Sequence, residues 1–524
     1  MIFKSTQAPV TIPLTGLTEF VLQRADERHD KPALVDGISG RTIAYGELNQ
    51  TIRRLAAGFA SHGLSKGDVL AIFSPNIPEY ALAFHAICSL GAITTMVPPL
   101  FTNQEIETQL TNSDARYLLT VPSLLGKALE IVPATNIRKI FLVGEAEGTT
   151  SLSSLLNHGD RVRVPDIDPC TDLAVLPYSS GTTGFPKGVM LTHYNLVSML
   201  CQMRAQEAVL KSDTLICLVP MYHLYGLHIV VNLALCQGAT VIMLPRYELT
   251  EFLTTLERYK VTVAPLVPPL VLALARTPEV ERHDLSHLRL IHCGAAPLAA
   301  EVAEACRKRL GCELRFGYGL TEVSPLSHAS PREFTEDRPG SVGFPLANTE
   351  CKIIDYMSGT ELGPNEEGEI CVRGPQVMRG YLKNAEATAQ MIDKEGWLRT
   401  GDIGYADEEG RLFVIDRLKE LIKYKGRQVA PAELEAVLIT HPAIADACVI
   451  PSPDEQAGEI PKAFVVLKNE ATEKEIMDFV AARVAPHKRI RKIEFAAEIP
   501  KTPAGKILRR VLVQRERARI QAEH

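Results

Sequence analysis

Leu176-Pro-Tyr-Ser-Ser-Gly-Thr-Thr-Gly-Phe-Pro-Lys-Gly-Val-Met-Leu-Thr-His193 is the most informative stretch of the chain. An apolar strand runs into glycines and hydroxyls from Tyr178 to Gly184, and a lysine follows. Glycines let backbone N–H groups converge on an anion, hydroxyls add donors, and a lysine adds charge. The stretch therefore predicts an oligophosphate-binding loop built from Ser179, Ser180, Gly181, Thr182, Thr183, Gly184 and Lys187. A plain surface turn is the competing reading. A P-loop would end in Gly-Lys-Ser/Thr, whereas Pro186 precedes Lys187 and Gly188 follows it, so that motif is excluded. Just beyond, Thr192 has the character of an N-cap, and Leu196, Met199, Leu200 and Met203 recur at i, i+3, i+4 and i+7, which predicts a packed helix.

Outward from this loop, strand-length apolar runs such as Leu70 to Phe73, Leu215 to Val219 and Thr240 to Leu244 alternate with segments of helical period, from about Leu17 to Leu326. That alternation predicts mainly parallel α/β sheets. Around Pro339 the texture shifts to short β-rich runs, Glu350 to Asp355, Glu369 to Arg373 and Arg411 to Asp416, divided by turns such as Asp407-Glu408-Glu409-Gly410. From Arg417 a mixed unit follows, with helices near Ala432 to Thr440 and Glu473 to Val484 and strands near Ala447 to Ile450 and Ala463 to Leu467. The predicted fold class is thus α/β. A large N-terminal domain spans 1–416, with a β-rich subdomain at about 340–416, and a small α+β C-terminal domain spans 417–524. At 524 residues a chain is past the size of a single core, in keeping with that division.

Composition narrows the class. Apolar residues make up 46% and charged residues 23%, as in a soluble globular protein. Fifty-six Lys and Arg against 62 Asp and Glu leave a net charge of -6, which offers no global attraction to nucleic acid or anionic membranes. Eleven scattered cysteines without a C-x-x-C pair read as reduced core thiols. The most apolar stretch, Val261 to Ala275, is interrupted by Pro265, Pro268 and Pro269, so no transmembrane span is expected. The start lacks a leader pattern and the final Gln521-Ala522-Glu523-His524 is not a peroxisomal address, so a cytoplasmic protein is expected.

Five further motifs follow the phosphate loop in order: Gly317-Tyr-Gly-Leu-Thr-Glu322, Gly368-Glu-Ile-Cys-Val-Arg-Gly374, Trp397-Leu-Arg-Thr-Gly-Asp402, Asp416-Arg-Leu-Lys-Glu-Leu-Ile-Lys-Tyr-Lys-Gly-Arg-Gln-Val-Ala-Pro-Ala-Glu-Leu434 and Pro500-Lys-Thr-Pro-Ala-Gly-Lys506. Taken together, the set resembles the adenylate-forming superfamily of acyl-CoA synthetases, firefly-type luciferases and peptide-synthetase adenylation domains. The resemblance covers effectively the whole chain and is nearest to the branch of 4-coumarate:CoA ligase-like enzymes.

The resemblance implies an ATP-dependent carboxylic acid:CoA ligase using Mg²⁺, with coenzyme A as co-substrate. A carboxylate resists thiols because oxide is a poor leaving group, so the acid would first displace pyrophosphate from ATP, and CoA would then displace AMP. Because the first step joins two anions, positive charge lowers its barrier, and the resemblance assigns that cation to Lys506. It makes Glu322 a ligand of Mg²⁺ together with Thr183. Tyr318 would stack on adenine, opposite a wall formed by Gly294, Ala295, Ala296 and Pro297, with Gly319 and Thr321 alongside. Asp402 would accept the ribose hydroxyls, since a carboxylate matches a vicinal diol, and Arg417 would reinforce it. Lys419 would be the hinge of a mobile C-terminal domain, and Lys423 and Gln428 would serve thioester formation. His223 would stand at the entrance of the acyl pocket, lined by Tyr222, Val231, His292, Cys293, Val323, Ser324 and Leu326.

The nature of the acid stays open between an aryl-propenoate of the hydroxycinnamate type and a medium- or long-chain fatty acid. Val323-Ser324-Pro325-Leu326-Ser327-His328 and Arg427 depart from the plant hydroxycinnamate pattern toward that of fatty-acyl ligases. From Arg483 to His524 twelve Lys or Arg face four Glu, a net +8 that a CoA phosphate or simple solvation explains better than nucleic acid, because no aromatic platform accompanies it. A luciferase-like oxygenase and an acyl-adenylate donor to a carrier protein acting in trans are the competing activities.

Overall fold

The computed structural model describes all residues except 160–164, 180–185, 332–337, 426, 455, 503–506 and 524, and for 521–523 only the backbone. Two nine-stranded sheets, one five-stranded antiparallel sheet and a separate five-stranded sheet near the C-terminus make up the molecule.

The first sheet is centred on Val69–Phe73, every residue of which is buried. It pairs in parallel with Ile93–Met96 and Ala115–Thr120, and Lys139–Leu142 continues the parallel run. A strand covered on both faces has no polar side to show, and this accounts for the unbroken Val-Leu-Ala-Ile-Phe run. The second sheet places Leu290–Cys293 between Val263–Leu266 and Glu313–Tyr318, all parallel, with Thr214–Cys217 and Thr240–Met243 beyond. The single alternating region expected between Leu17 and Leu326 therefore divides into two sheets. In the third sheet, Glu350–Ile354, Gly368–Arg373, Leu398–Ala406 and Leu412–Arg417 form an antiparallel run. Its edge is completed by Ile2–Lys4 from the start of the chain, a long-range pairing that no local pattern signals.

The C-terminal unit has its own core of Ile422, Val429, Leu434, Leu438, Val449, Val465, Ile476 and Val480 among others. Its expected helices appear as Pro431–Ile439 and Glu473–Ala481, and its strands as Ile444–Asp454 and Gly458–Leu467.

The helix expected after Thr192 runs His193–Ala205. Thr192 Oγ1 accepts the Asn195 N–H at 3.2 Å, and Asn195 Oδ1 accepts the Thr192 N–H at 3.0 Å, a reciprocal cap that fixes the helix start. Ten cysteines are buried and none is paired, but Cys170 is exposed, so the core-thiol reading fails at that residue because it sits in a surface turn. No helix among the described residues is long and apolar enough to cross a membrane.

The segment after Thr214–Cys217 turns sharply and enters a π-helix, Tyr225–Asn232. Gly226 makes the turn possible, since a Cβ there would lie 2.3 Å from the Pro220 carbonyl oxygen. Gly226→Ala should lower stability by about 1–3 kcal/mol, read as a fall in the denaturation midpoint with an unchanged m-value. An unaltered midpoint would show that this turn relaxes without penalty.

Candidate active site

Ligand sites in open parallel sheets form beyond the carboxyl ends of the strands. Three predicted segments meet that rule in the second sheet: Pro220 to His223 follow Thr214–Cys217, Gly294 to Pro297 follow Leu290–Cys293, and Gly319 to Glu322 follow Glu313–Tyr318. Ala295 in the second segment has φ 73°, a left-handed conformation that an alanine adopts only when its surroundings impose it. Gly319 cannot be replaced cheaply, because a Cβ would fall 2.0 Å from the Pro325 carbonyl oxygen.

Glu322 is buried. A carboxylate out of water needs donors, and Glu322 Oε1 has two: the Ser179 hydroxyl at 2.9 Å and the Tyr381 hydroxyl at 2.8 Å. Lys187 lies with its ammonium 4.9 Å from the centre of the Tyr381 ring, a cation–π contact that keeps its charge beside the carboxylate. Ser179, Lys187 and the carboxylate Glu322 therefore gather around one tyrosine. Ser180, Gly181, Thr182, Thr183 and Gly184 lie outside the described residues, as does Lys506.

Tyr381 was not anticipated. It belongs to a two-residue strand, Gly380–Tyr381, paired on Lys187–Thr192. The segment before it is held by the Asn195 amide, which donates to the Pro375 and Val377 carbonyls at 2.9 Å each, and by Met378 N–H, which donates to the Glu322 carbonyl at 2.8 Å. Ser324, expected in the acyl pocket, instead directs its hydroxyl to the Gln376 carbonyl at 2.7 Å and braces the same segment.

A second buried carboxylate comes from the third sheet. Asp402 and Arg417 are cross-strand partners, with Arg417 Nε 3.0 Å from Asp402 Oδ1, while the Tyr318 hydroxyl donates to Asp402 Oδ2 at 2.7 Å. Burial, reinforced by the Asp402 charge, holds the Tyr318 phenol far above its usual pKa, so it stays a donor. Burial opposes the charge of Arg417, yet Asp402 and its neighbours raise the proton affinity of the guanidinium. The Tyr318 hydroxyl and the Arg417 guanidinium together fix the Asp402 carboxylate.

Thr321 is half-buried beside Glu322. Lys419 is exposed between the third sheet and the C-terminal unit. Lys423 and Gln428 stand directly opposite one another in the hairpin Ile422–Tyr424/Arg427–Val429, with Lys423 exposed and Gln428 half-buried. The structure brings them to each other and not to Asp402 or Glu322: among the described residues, every hydrogen bond of this hairpin stays within the C-terminal unit.

His223 is half-buried with its ring 4.9 Å from that of Tyr222. Its turn is clamped by Asn76, whose amide donates to the Cys217 and Val219 carbonyls and whose Oδ1 accepts the Met221 N–H. A separate apolar cavity of about 20 Å³, room for little more than one water, is walled by Met203, Val209, Ile229, Leu233, Leu290 and His292 among others. Val231, Cys293 and Val323 are buried in the same apolar core as Ile229 of the π-helix and Leu233 of the helix that follows it. Burial first, and Arg315 second, push the pKa of His292 down to about 4, so its imidazole is neutral, and its Nδ1 has no partner among the described residues.

Two buried carboxylates, Glu322 beside Ser179 and Asp402 against Tyr318, meet beyond the carboxyl ends of the parallel strands, where α/β proteins place their ligand sites. The chain belongs to the AMP-binding enzyme family, matching it over residues 21–382, and matches the AMP-binding enzyme C-terminal domain over 433–506. It is 42% identical to "4-coumarate--CoA ligase 1" of Solanum tuberosum across 100% of this chain and 97% of that protein. It is likewise 42% identical to "4-coumarate--CoA ligase 5" of Oryza sativa subsp. japonica across 98% and 96%. Among solved structures, the anthranilate CoA ligase AuaEII in complex with anthranoyl-AMP superimposes with a TM-score of 0.90 at 27% identity, over 97% of this chain and 98% of that one.

Among the described residues no three His, Cys, Asp or Glu side chains gather as a metal cage. A Mg²⁺ ion needs none, since it is commonly held by one or two carboxylates with substrate phosphates and water, and Glu322 beside the phosphate loop suits that role.

Tyr381→Phe removes one donor from buried Glu322. It should cost about 1.5–3 kcal/mol of stability and weaken ATP binding, checked by thermal unfolding and by ATP titration. Wild-type values in both would show that Ser179 suffices.

Proposed function

We propose that the chain is an ATP-dependent, AMP-forming acid:CoA ligase acting on a hydroxycinnamate-type aryl acid. The observation that carries this reading is 42% identity along the whole chain with 4-coumarate--CoA ligases, and the site geometry supports it.

In the first step a carboxylate oxygen of the acid attacks the α-phosphorus of ATP, the bond to pyrophosphate breaks, and an acyl-adenylate forms. Ser179 to Gly184 and Lys187 hold the phosphates. Tyr318, its hydroxyl anchored on Asp402, offers its ring to adenine against Gly294 to Pro297. Asp402, steadied by Arg417, accepts the ribose hydroxyls, with Gly319 and Thr321 close by. Glu322 and Thr183 would hold Mg²⁺, which would supply charge neutralisation at the phosphates. Lys506 bridges the acid carboxylate and the α-phosphate. In the second step the CoA sulfur attacks the acyl carbon, the thiol proton is lost and AMP departs. The C-terminal domain turns about Lys419 between the steps, bringing Lys423 and Gln428 to the adenylate. His223 closes the pocket entrance, and neutral His292 forms part of the acyl cavity wall.

A medium- or long-chain fatty acid is the second reading, favoured by Val323 to His328 and Arg427, which depart from the plant hydroxycinnamate pattern. A cytoplasmic setting suits eleven unpaired cysteines.

The test is loss of free thiol from CoA, with ATP and Mg²⁺, across hydroxycinnamates, benzoates and C6 to C16 fatty acids. Thiol loss with hydroxycinnamates alone upholds the proposal, and loss with fatty acids alone replaces the acid. Pyrophosphate release without thiol loss for every acid would mean a different acceptor. Lys506→Ala should reduce pyrophosphate release by at least ~100-fold while thiolysis of supplied acyl-adenylate persists. Equal loss of both steps would refute this division.

A further inference from the structure

Asp416 is the penultimate residue of the strand Leu412–Arg417 and is buried. Its two oxygens reach opposite sides of the hinge. Oδ1 accepts the Arg417 N–H at 2.7 Å, and Oδ2 accepts the N–H of Ala432, second residue of the helix Pro431–Ile439, at 2.8 Å. Lys419 lies between these two donors in the chain. First-turn N–H groups have no acceptor inside their own helix, and a carboxylate there also meets the positive end of the helix dipole. The bond is sheltered by an apolar cluster that spans the same boundary, Ile403, Tyr356 and Ile415 on one side and Leu421 and Ala430 on the other. The charges acting on Asp416 include those of Arg509 and Glu420, and Arg509 is itself paired with Glu420 at 2.8 Å and with Glu435. Burial nonetheless raises the Asp416 pKa to about 6.

We propose that Asp416 is a positioning residue, a latch across the hinge that holds the C-terminal domain in the orientation seen here through the Ala432 N–H. The inference rests on the two-orientation reading given above. When the domain turns about Lys419, Ala432 travels with Lys423 and Gln428 while Asp416 stays with Arg417 and Asp402, so the bond breaks. In the present orientation Lys423 is exposed and its hairpin bonds only within its own domain. The latch therefore favours the state that precedes thiolysis.

Ala432→Pro removes the donor and leaves the carboxylate untouched. Proline is tolerated in the first helical turn, and the helix Pro268–Arg276 of this same chain opens with two consecutive prolines. Asp416→Asn, which keeps an acceptor oxygen without the charge, is the second variant. Three rates decide: pyrophosphate release from acid and ATP, AMP release from supplied acyl-adenylate and CoA, and trypsin cleavage after the exposed Lys419 in the folded protein. For Ala432→Pro, pyrophosphate release should fall about ten-fold, thiolysis should be unchanged or faster, and cleavage should accelerate by a similar factor, with Asp416→Asn intermediate. Equal loss in both half-reactions, or wild-type rates in all three measurements, overturns the latch. If the wild-type protein releases no pyrophosphate with any acid, the functional reading fails instead, and the cleavage rates alone decide the latch.

Discussion

Two carboxylates buried at the meeting point of three sheets impose most of the order in the active cleft. A carboxylate removed from water is tolerable only if donors surround it. Glu322, at the end of the second sheet, takes its donors from Ser179 at the edge of the first and from Tyr381 paired on that edge. Asp402, in the third sheet, takes one donor from its own neighbour Arg417 and one from Tyr318 of the second. Each acid thereby fastens one sheet to another. The cleft geometry follows from satisfying these two charges, since neither can be met by residues of its own sheet alone.

Chemistry benefits from the same arrangement. Donors held by the fold need not reorganise when a phosphate or ribose arrives, and fixed dipoles in a partly dry site act more strongly than mobile water. The Tyr318 hydroxyl illustrates the economy: one group anchors the ring and orients Asp402. The support extends outward through the Thr192–Asn195 cap, whose amide fixes the segment that delivers Tyr381. A helix cap some distance from the nucleotide is in this way part of the site's scaffold.

Much of this was legible in the sequence, and the limits have physical causes. The helix after Thr192 and the strand at Val69–Phe73 were readable because caps and apolar runs act over a few residues. Glu322, Asp402 and Arg417 stood out through their motifs. Tyr381 did not, because its role depends on pairing with a strand some 190 residues earlier. The same holds for Asn76, which clamps the turn before His223, and for Ile2–Lys4 on the third sheet.

The C-terminal domain differs from the rest in how it is attached. Its core is self-contained, closed by Val449, Val465, Ile476 and their neighbours, so it keeps its shape without help from the large domain. Across the hinge the apolar cluster of Ile403, Leu421 and Ala430 is small beside either core, and the Asp416–Ala432 hydrogen bond adds one directional contact. A rigid body joined by a thin contact can exchange orientations without unfolding, because little apolar surface must be wetted on the way. Two successive reactions at one adenylate need different side chains in the same place, and a fixed site cannot offer both sets. Lys423 and Gln428 face one another on a hairpin whose hydrogen bonds, among the described residues, stay within the C-terminal unit, so the pair would move as one with that unit.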